Sequence, residues 1–310
     1  MKKDIFKSLT ALLIIICSVL SKVAKGEGGS IVLFWNLENL FIDSPYFYRK
    51  INDISKQIHI ATEGELPLLI GFAEIGNFQA VWRLANVTTL ASAGYGIVHA
   101  DSPDRRGIDV ALLYRKDRFN LVFKRFYPIK NEKGEVLPTR LTIYAKGVLD
   151  KLDTLHLIVA HWPSKWGGER ASIPGRILAS KVMNGIIDSL LSINPYANII
   201  AMGDMNEEAV AQFIPRLILL RPHRSNVPGT VRYNGRWETI DHILVSPNLM
   251  DTDEPIFCTD SSLSIYSHPL LLERDKAYLG KKPRRSFTGP RYNGGISDHL
   301  PLLLRIERGW

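Results

Sequence analysis

The chain has 310 residues, of which 45% are hydrophobic and 23% charged. That balance excludes a collagen-like, low-complexity or disordered chain and permits a full apolar core. A formal net charge of +8 suits an anionic partner without demanding nucleic acid, and two cysteines are too few for a disulfide scaffold.

Residues 1–26 read as an export signal. Lys2, Lys3 and Lys7 make a positive start, Ala11 to Leu20 is a short apolar run, and Ser21, Ala24 and Gly26 offer cleavage within 21–26. The run is short against the roughly 20 apolar residues that span a bilayer. A cleaved signal is therefore expected rather than a permanent anchor, with the mature chain periplasmic or secreted and not stably inserted in a membrane. Cys17 follows three isoleucines, a poor lipoprotein signal. Losing the leader lowers the net charge to +4 and leaves Cys258 alone, so the mature chain forms no intramolecular disulfide. Residues 27–310 are expected to form one catalytic domain.

Along that domain, short β-branched or leucine-rich runs recur at 31–35, 67–72, 108–114, 120–127, 140–149, 154–160, 197–202, 239–246 and 301–306. Each is bounded by polar turns and predicts a strand. Amphipathic stretches near 46–63, 78–91, 176–193 and 207–220 predict helices. Asn234-Gly235 predicts a type I′ hairpin turn. The stretch 259–295 reads as a long loop carrying Lys281, Lys282, Arg284, Arg285 and Arg291. Strands mixed with helices and hairpins predict an α/β domain with mixed sheets.

The strands end on chemistry. One run delivers Asn36, another Glu74, a third His161, a fourth Asp204 and Asn206, all at carboxyl ends where open α/β sheets bind ligands. Asp241 and Asp298-His299 instead precede their apolar runs. Were those two strands antiparallel to the first four, all these groups would share one rim. Carboxylate and amide oxygens without a nearby cysteine select Mg²⁺ or Mn²⁺ over zinc. Such a set suits a phosphate ester, which needs a Lewis acid, a positioned water and a base. His242, next to Asp241 on a strand, should face away and is left out of the site.

Asn36-Leu37-Glu38-Asn39, Glu74, His161-Trp162-Pro163-Ser164, Gly203-Asp204-Met205-Asn206, Ile240-Asp241-His242 and Ser297-Asp298-His299-Leu300-Pro301 resemble, in order, the motif set of the endonuclease/exonuclease/phosphatase superfamily. The resemblance spans about 30–308. It implies an α/β fold of two mixed β-sheets packed as a sandwich and flanked by helices, as in deoxyribonuclease I. It also implies roles: Glu74 as the principal metal ligand, with Asn36 and Asp298 beside it. Asp204 and Asn206 would hold water and phosphate, Asp241 would orient His299, and His161 would stabilise the pentacovalent state. The proton acceptor is left between His299 and Asp204, and His299 is taken.

Arg106, Arg176, Lys282, Arg284 and Arg285 are candidate contacts to substrate phosphate, and Asp109 is a candidate partner for a catalytic histidine. The plainer alternatives are a β-bulge with a surface ion pair for Arg106 and Asp109, a solvated helix face for Arg176, and a disordered tail for the basic run. The substrate is expected to be an anionic phosphoester, nucleic acid in the first place, with phospholipid, inositol or sugar phosphates as alternatives, acted on by a monomer. A catalytically dead phosphate-binding module would have to lack one of Glu74, Asp204, Asn206, Asp241 or His299, and all are present. A calcineurin-like metallophosphatase would need a Gly-Asn-His segment, which the chain lacks.

Overall fold

The computed structural model describes residues 29–165, 168–223 and 225–309, so the export signal expected at 1–26 lies outside the described residues. In chain order the strands begin with β1 (Ser30–Leu40), β2 (Leu69–Ile75), β3 (Tyr95–His99) and β4 (Asp109–Arg115). They continue with β5 (Phe119–Tyr127), β6 (Thr142–Leu149), β7 (Asp153–His161), β8 (Asn198–Asp204) and β9 (Ile218–Leu219). After the hairpin β10 (Val231–Tyr233) and β11 (Arg236–Glu238) come β12 (Asp241–Val245), β13 (Ile256–Phe257) and β14 (Leu263–Ile265). Two further hairpins, β15 (Leu272–Arg274) with β16 (Lys281–Pro283) and β17 (Phe287–Thr288) with β18 (Arg291–Tyr292), lead to β19 (Leu302–Arg308). One sheet runs β13-β19-β1-β2-β4-β3 with β14 also on β19, and the other runs β5-β6-β7-β8-β12-β9.

Three helices cover the sheets. In α1 (Phe47–Ala61), Phe47, Ile51, Ile54 and Ile58 fall three or four residues apart and form one buried stripe on the first sheet's core. The Asn77 side chain caps α2 (Phe78–Asn86) by accepting from the Ala80 N–H at 2.9 Å, and Val81 and Leu84 enter the same core. From α3 (Glu169–Ile193), Ala179, Met183 and Ile187 pack on Ile158, Ile199 and Ala201 of the second sheet. The result is two mixed sheets flanked by helices.

The structure differs from the sequence expectations in three places. The helix expected at 207–220 is a single 3-10 turn, Val210–Gln212, followed by β9. Pro215 lacks the N–H that an interior helical position donates, which favours a stop after the single turn. The stretch expected as loop holds β14, whose backbone pairs with β19, and two hairpins closed by local backbone pairing. Helix α3 begins at Glu169, upstream of the expected start, and contains Pro174. The Asn234-Gly235 turn forms as expected, both residues having positive φ, 47° and 78°.

Strand direction builds the rim. β1 and β2 are parallel, as are β7 and β8. β19 runs antiparallel to β1, and β12 antiparallel to β8 with Asp241 opposite Asp204. The carboxyl ends of four strands and the amino ends of two thus meet on one edge. Beneath it, a Cβ on Gly203 would lie 2.2 Å from the Ala160 carbonyl oxygen, which is backbone and cannot step aside. A Cβ on Gly71 would meet only the flexible Met202 Sδ at 2.6 Å and Phe34. Gly203→Ala should therefore cost about 1–3 kcal/mol, more than Gly71→Ala, and should lower activity by parting β7 from β8. Urea denaturation of both variants, beside their activity, checks the order.

Candidate active site

Asp204 ends β8 with its side chain 2% exposed, and four neighbours reach it. Asn36 Nδ2 donates to Oδ2 at 3.0 Å, and the Asn206 N–H donates to Oδ1 at 3.0 Å. His161 Nε2 lies 3.4 Å and His299 Nε2 3.8 Å from Oδ2. Residues from β1, β7, β8 and the segment before β19 thereby converge on one carboxylate. Burial, with Asp241 adding to it, pushes Asp204 up to about 7 against the opposing pull of His299.

His299 is held on its other side. Its Nδ1 lies 2.8 Å from Asp241 Oδ2 and 3.1 Å from Oδ1, so Nδ1–H donates to the carboxylate and Nε2 faces the site. Its main-chain N–H donates to Ser297 Oγ, whose own hydroxyl donates to the Asn36 carbonyl. Burial alone would lower its pKa, but Asp241, Asp204 and Asp298 outweigh that and hold it well above the ordinary value. His161 is the opposite case. Burial, with Arg140, Arg106 and His299 nearby, keeps its pKa well below the usual range, so it is neutral. Its Nδ1 is buried without a hydrogen-bond partner.

The backbone is strained where these groups emerge. Glu38, Asn39, Glu74 and Asn206 have φ of 47°, 58°, 61° and 50°, a left-handed conformation that costs an ordinary residue about 1–2 kcal/mol. Such strain collects at functional sites. At Glu74 the pairing register slips between Ala73 and Ile75, and this irregularity re-aims the side chain. The Asn39 N–H donates to Glu74 Oε2 at 2.9 Å, and Arg106 approaches Oε1 to 3.8 Å.

One network was not foreseen. Lys50 sits on the buried stripe of α1 and donates to the Glu38 carbonyl and to Ser286 Oγ, both at 2.7 Å. The Glu38 carboxylate accepts from the Ser286 N–H at 2.6 Å and from Arg285 Nε at 3.0 Å, while Arg285 Nη2 donates to Asp298 at 3.0 Å. Burial, then Asp298, raises Glu38 to about 7, and burial lowers Lys50 to about 8. The signal for it was a lysine inside an apolar helical stripe and a carboxylate inside the Asn36–Asn39 motif.

The expected phosphate contacts separate here. Arg106 is half-exposed at the rim beside Glu74. Arg285 is committed to Glu38 and Asp298, Arg284 donates to the Asn293 carbonyl, and Lys282 faces Glu273. Arg176 is buried, pairs with Glu207 at 3.3 Å and donates to Ser172 Oγ, so it braces the loop after Asn206 instead of standing open to substrate. Asp109 pairs with His99 at 3.1 Å, not with either site histidine. His242 bonds the Glu207 carbonyl, away from the site as expected. Asn206 donates its amide to the Trp162 carbonyl at 3.0 Å.

The residues present fit a divalent cation. Glu38, Glu74 and Asp298 all act on the same two cations, Lys50 and Arg285, leaving an excess of negative charge built from oxygen donors. Asp204, Asp241 and His299 also bring ligand atoms within 4.8 Å of one another. Those atoms are largely engaged among themselves and with Asn36 and Asn206, an arrangement suited to moving a proton. The Asn36 amide oxygen beside them accepts from the Glu38 N–H at 3.0 Å.

Two packed mixed sheets with an acid-and-histidine rim of this composition define a phosphoesterase fold. The chain belongs to the Endonuclease/Exonuclease/phosphatase family, whose model matches residues 39–308 and whose members are phosphoester hydrolases using divalent metals. Among solved structures it is similar to an endonuclease/exonuclease/phosphatase from Bacteroides vulgatus, with TM-score 0.62, 16% identity, and coverage of 91% of this chain and 100% of that one. Truncated Caenorhabditis elegans TDP2 gives 0.60, 14%, 90% and 98%, and the Bacteroides thetaiotaomicron mannosyl-6-phosphatase gives 0.60, 14%, 91% and 100% in the same order. At such identities the likeness is one of fold. No curated protein matches the sequence.

Two outcomes are expected. A base must be neutral to accept a proton, so activity should rise with pH through a value above the ordinary histidine pKa of about 6.5. Asp241→Asn removes a major cause of the raised pKa and should move that limb to lower pH while lowering the plateau at least a hundredfold; a pH–rate profile checks both. Glu38, raised from about 4.5 to about 7 in the fold, stabilises fully below the lower value and less as pH climbs through the upper one. In metal-free protein, the fall in melting temperature between pH 5 and pH 8 should be smaller for Glu38→Gln than for the wild type.

Proposed function

We propose that the chain is a divalent-metal-dependent phosphoester hydrolase. The observation that carries this reading is the His299–Asp241 pair, with His299 Nε2 turned to the buried Asp204. His299 takes the proton from the attacking water, Asp241 fixes its tautomer and steadies the imidazolium, and Asp204 aligns the water. Neutral His161 and Asn206 flank the phosphoryl oxygens, where charge develops. Mg²⁺ or Mn²⁺, held by Glu74, Asp298 and Asn36, would supply Lewis-acid neutralisation of that charge.

The substrate reading is narrower than a gripped polymer. Arg284 and Arg285 are hydrogen-bonded within the protein and Lys282 stands near Glu273, whereas Arg106 is half-exposed at the rim itself, 3.8 Å from Glu74 and 3.9 Å from Asp104. This favours a phosphoester bound through the scissile phosphate and its immediate substituents, such as a nucleic-acid end or a nucleotide-sized phosphodiester. The Danio rerio TDP2 structure solved with a single-strand DNA product supports the nucleic-acid form. The mannosyl-6-phosphatase neighbour keeps a sugar phosphate as second reading. Export, with cleavage within 21–26, is part of the proposal and rests on the sequence.

EDTA should abolish activity on bis-p-nitrophenyl phosphate and Mg²⁺ or Mn²⁺ should restore it, with Glu74→Gln inactive at any metal concentration tested. Full turnover in excess EDTA would refute the metal role. The slope of log K against log salt for single-stranded DNA should be shallow, about one to two phosphate contacts at about 0.7 each. A slope worth four or more contacts would return the reading to a polymer track.

A further inference from the structure

A cleft of about 740 Å³ opens directly beside Glu74, between the turn after β1 and the β17–β18 hairpin. Asn39 and Arg106, the two groups that touch the Glu74 carboxylate, are also part of its lining. Arg106, the half-exposed cation beside Glu74, thus stands at the boundary between the site and this cleft. Its wall is aromatic. Tyr46 and Tyr292 stack with centroids 3.7 Å apart and planes within 6°, and Phe287 meets them edge-on at 6.0 and 5.4 Å. Tyr292 is covered by Tyr46 and approached by Arg49 at 5.6 Å, so the open aromatic surface belongs to Tyr46, 37% exposed.

This wall is fixed to the catalytic rim. Ser286, next to Phe287, bonds both Glu38 and Lys50, and Lys50 also lines the cleft. Held in place, the rings need little ordering when a ligand arrives, which favours aromatic recognition. The lining offers a second phosphate little: Asp43 stands exposed in it, Lys50 is buried with both its contacts made, and Arg106 lies against Glu74 and Asp104.

We propose that this cleft binds the leaving-group half of the substrate and takes an uncharged planar aromatic ring stacked on Tyr46, either a nucleobase or an aryl group. The proposal deepens the hydrolase reading and rests on it for the direction of the substrate, though ring binding can be measured without turnover. Phenyl phosphate and hexafluoroisopropyl phosphate have leaving groups of closely matched acidity, but only the first carries a ring. Tyr46→Ala should lower the phenyl-to-fluoroalkyl ratio of kcat/KM about tenfold, Tyr46→Trp should keep it, and the effect should fall on KM. An unchanged ratio in Tyr46→Ala overturns the proposal. Independently, saturation-transfer NMR on the Mg²⁺-supplemented protein should mark the ring protons of adenosine or of phenyl phosphonate, and Tyr46→Ala should remove that signal. Preference between the two probes separates nucleobase from aryl group. Ring contact with neither, or contact that survives Tyr46→Ala, refutes the subsite. Ring binding through Tyr46 in a protein that hydrolyses neither phosphate would uphold the subsite and sink the hydrolase reading.

Discussion

A carboxylate taken out of water must be compensated, and the site is organised by that requirement at Asp204. Burial alone disfavours its charge. Compensation comes from an amide on β1, a main-chain N–H two residues on and two imidazoles, one ending β7 and one in the segment before β19. Each of those groups is thereby oriented toward the same point. The strained backbone at Glu74 and Asn206 is the counterpart, since left-handed residues persist only when packing over-determines them. The β7–β8 register that aligns His161 with Asp204 depends in turn on Gly203, where no Cβ fits.

A second electrostatic unit balances the first. Glu38, Lys50, Arg285 and Asp298 tie α1, the end of β1 and the β16–β17 connection into one network beside Glu74. Its members include Arg285, which otherwise would be read as a hand for substrate phosphate. Burial chiefly raises Glu38 and the Asp298 charge adds to it, and a metal bound beside these carboxylates would offset that added repulsion. Structure and chemistry are linked here: the group that anchors the segment before β17 also sets the charge that a cation meets.

The motifs at Asn36, Glu74, His161, Asp204, Asp241 and Asp298-His299 were legible in the chain because chemistry requires particular side chains at strand ends, and apolar runs mark those ends. The antiparallel pairing that brings Asp241 to Asp204 was a condition in the sequence, and the register of β12 on β8 meets it. The failure at 207–220 was also written there, in Pro215, which an amphipathic count overlooks.

What no one-dimensional pattern contains is which partner each charge finds. Lys282, Arg284, Arg285 and Arg176 look alike as free cations in a row of letters, yet the fold pairs them with Glu273, the Asn293 carbonyl, Glu38 with Asp298, and Glu207. Asp109 likewise takes His99 as its partner. Ion pairs and burial arise from contacts between residues far apart in the chain, 247 positions for Arg285 with Glu38. Local periodicity reports strand and helix, because those depend on neighbours along the chain. Solvent exclusion and pairing depend on neighbours in space, so tertiary packing alone set the pKa of His299, the role of Lys50 and the aromatic wall beside Glu74.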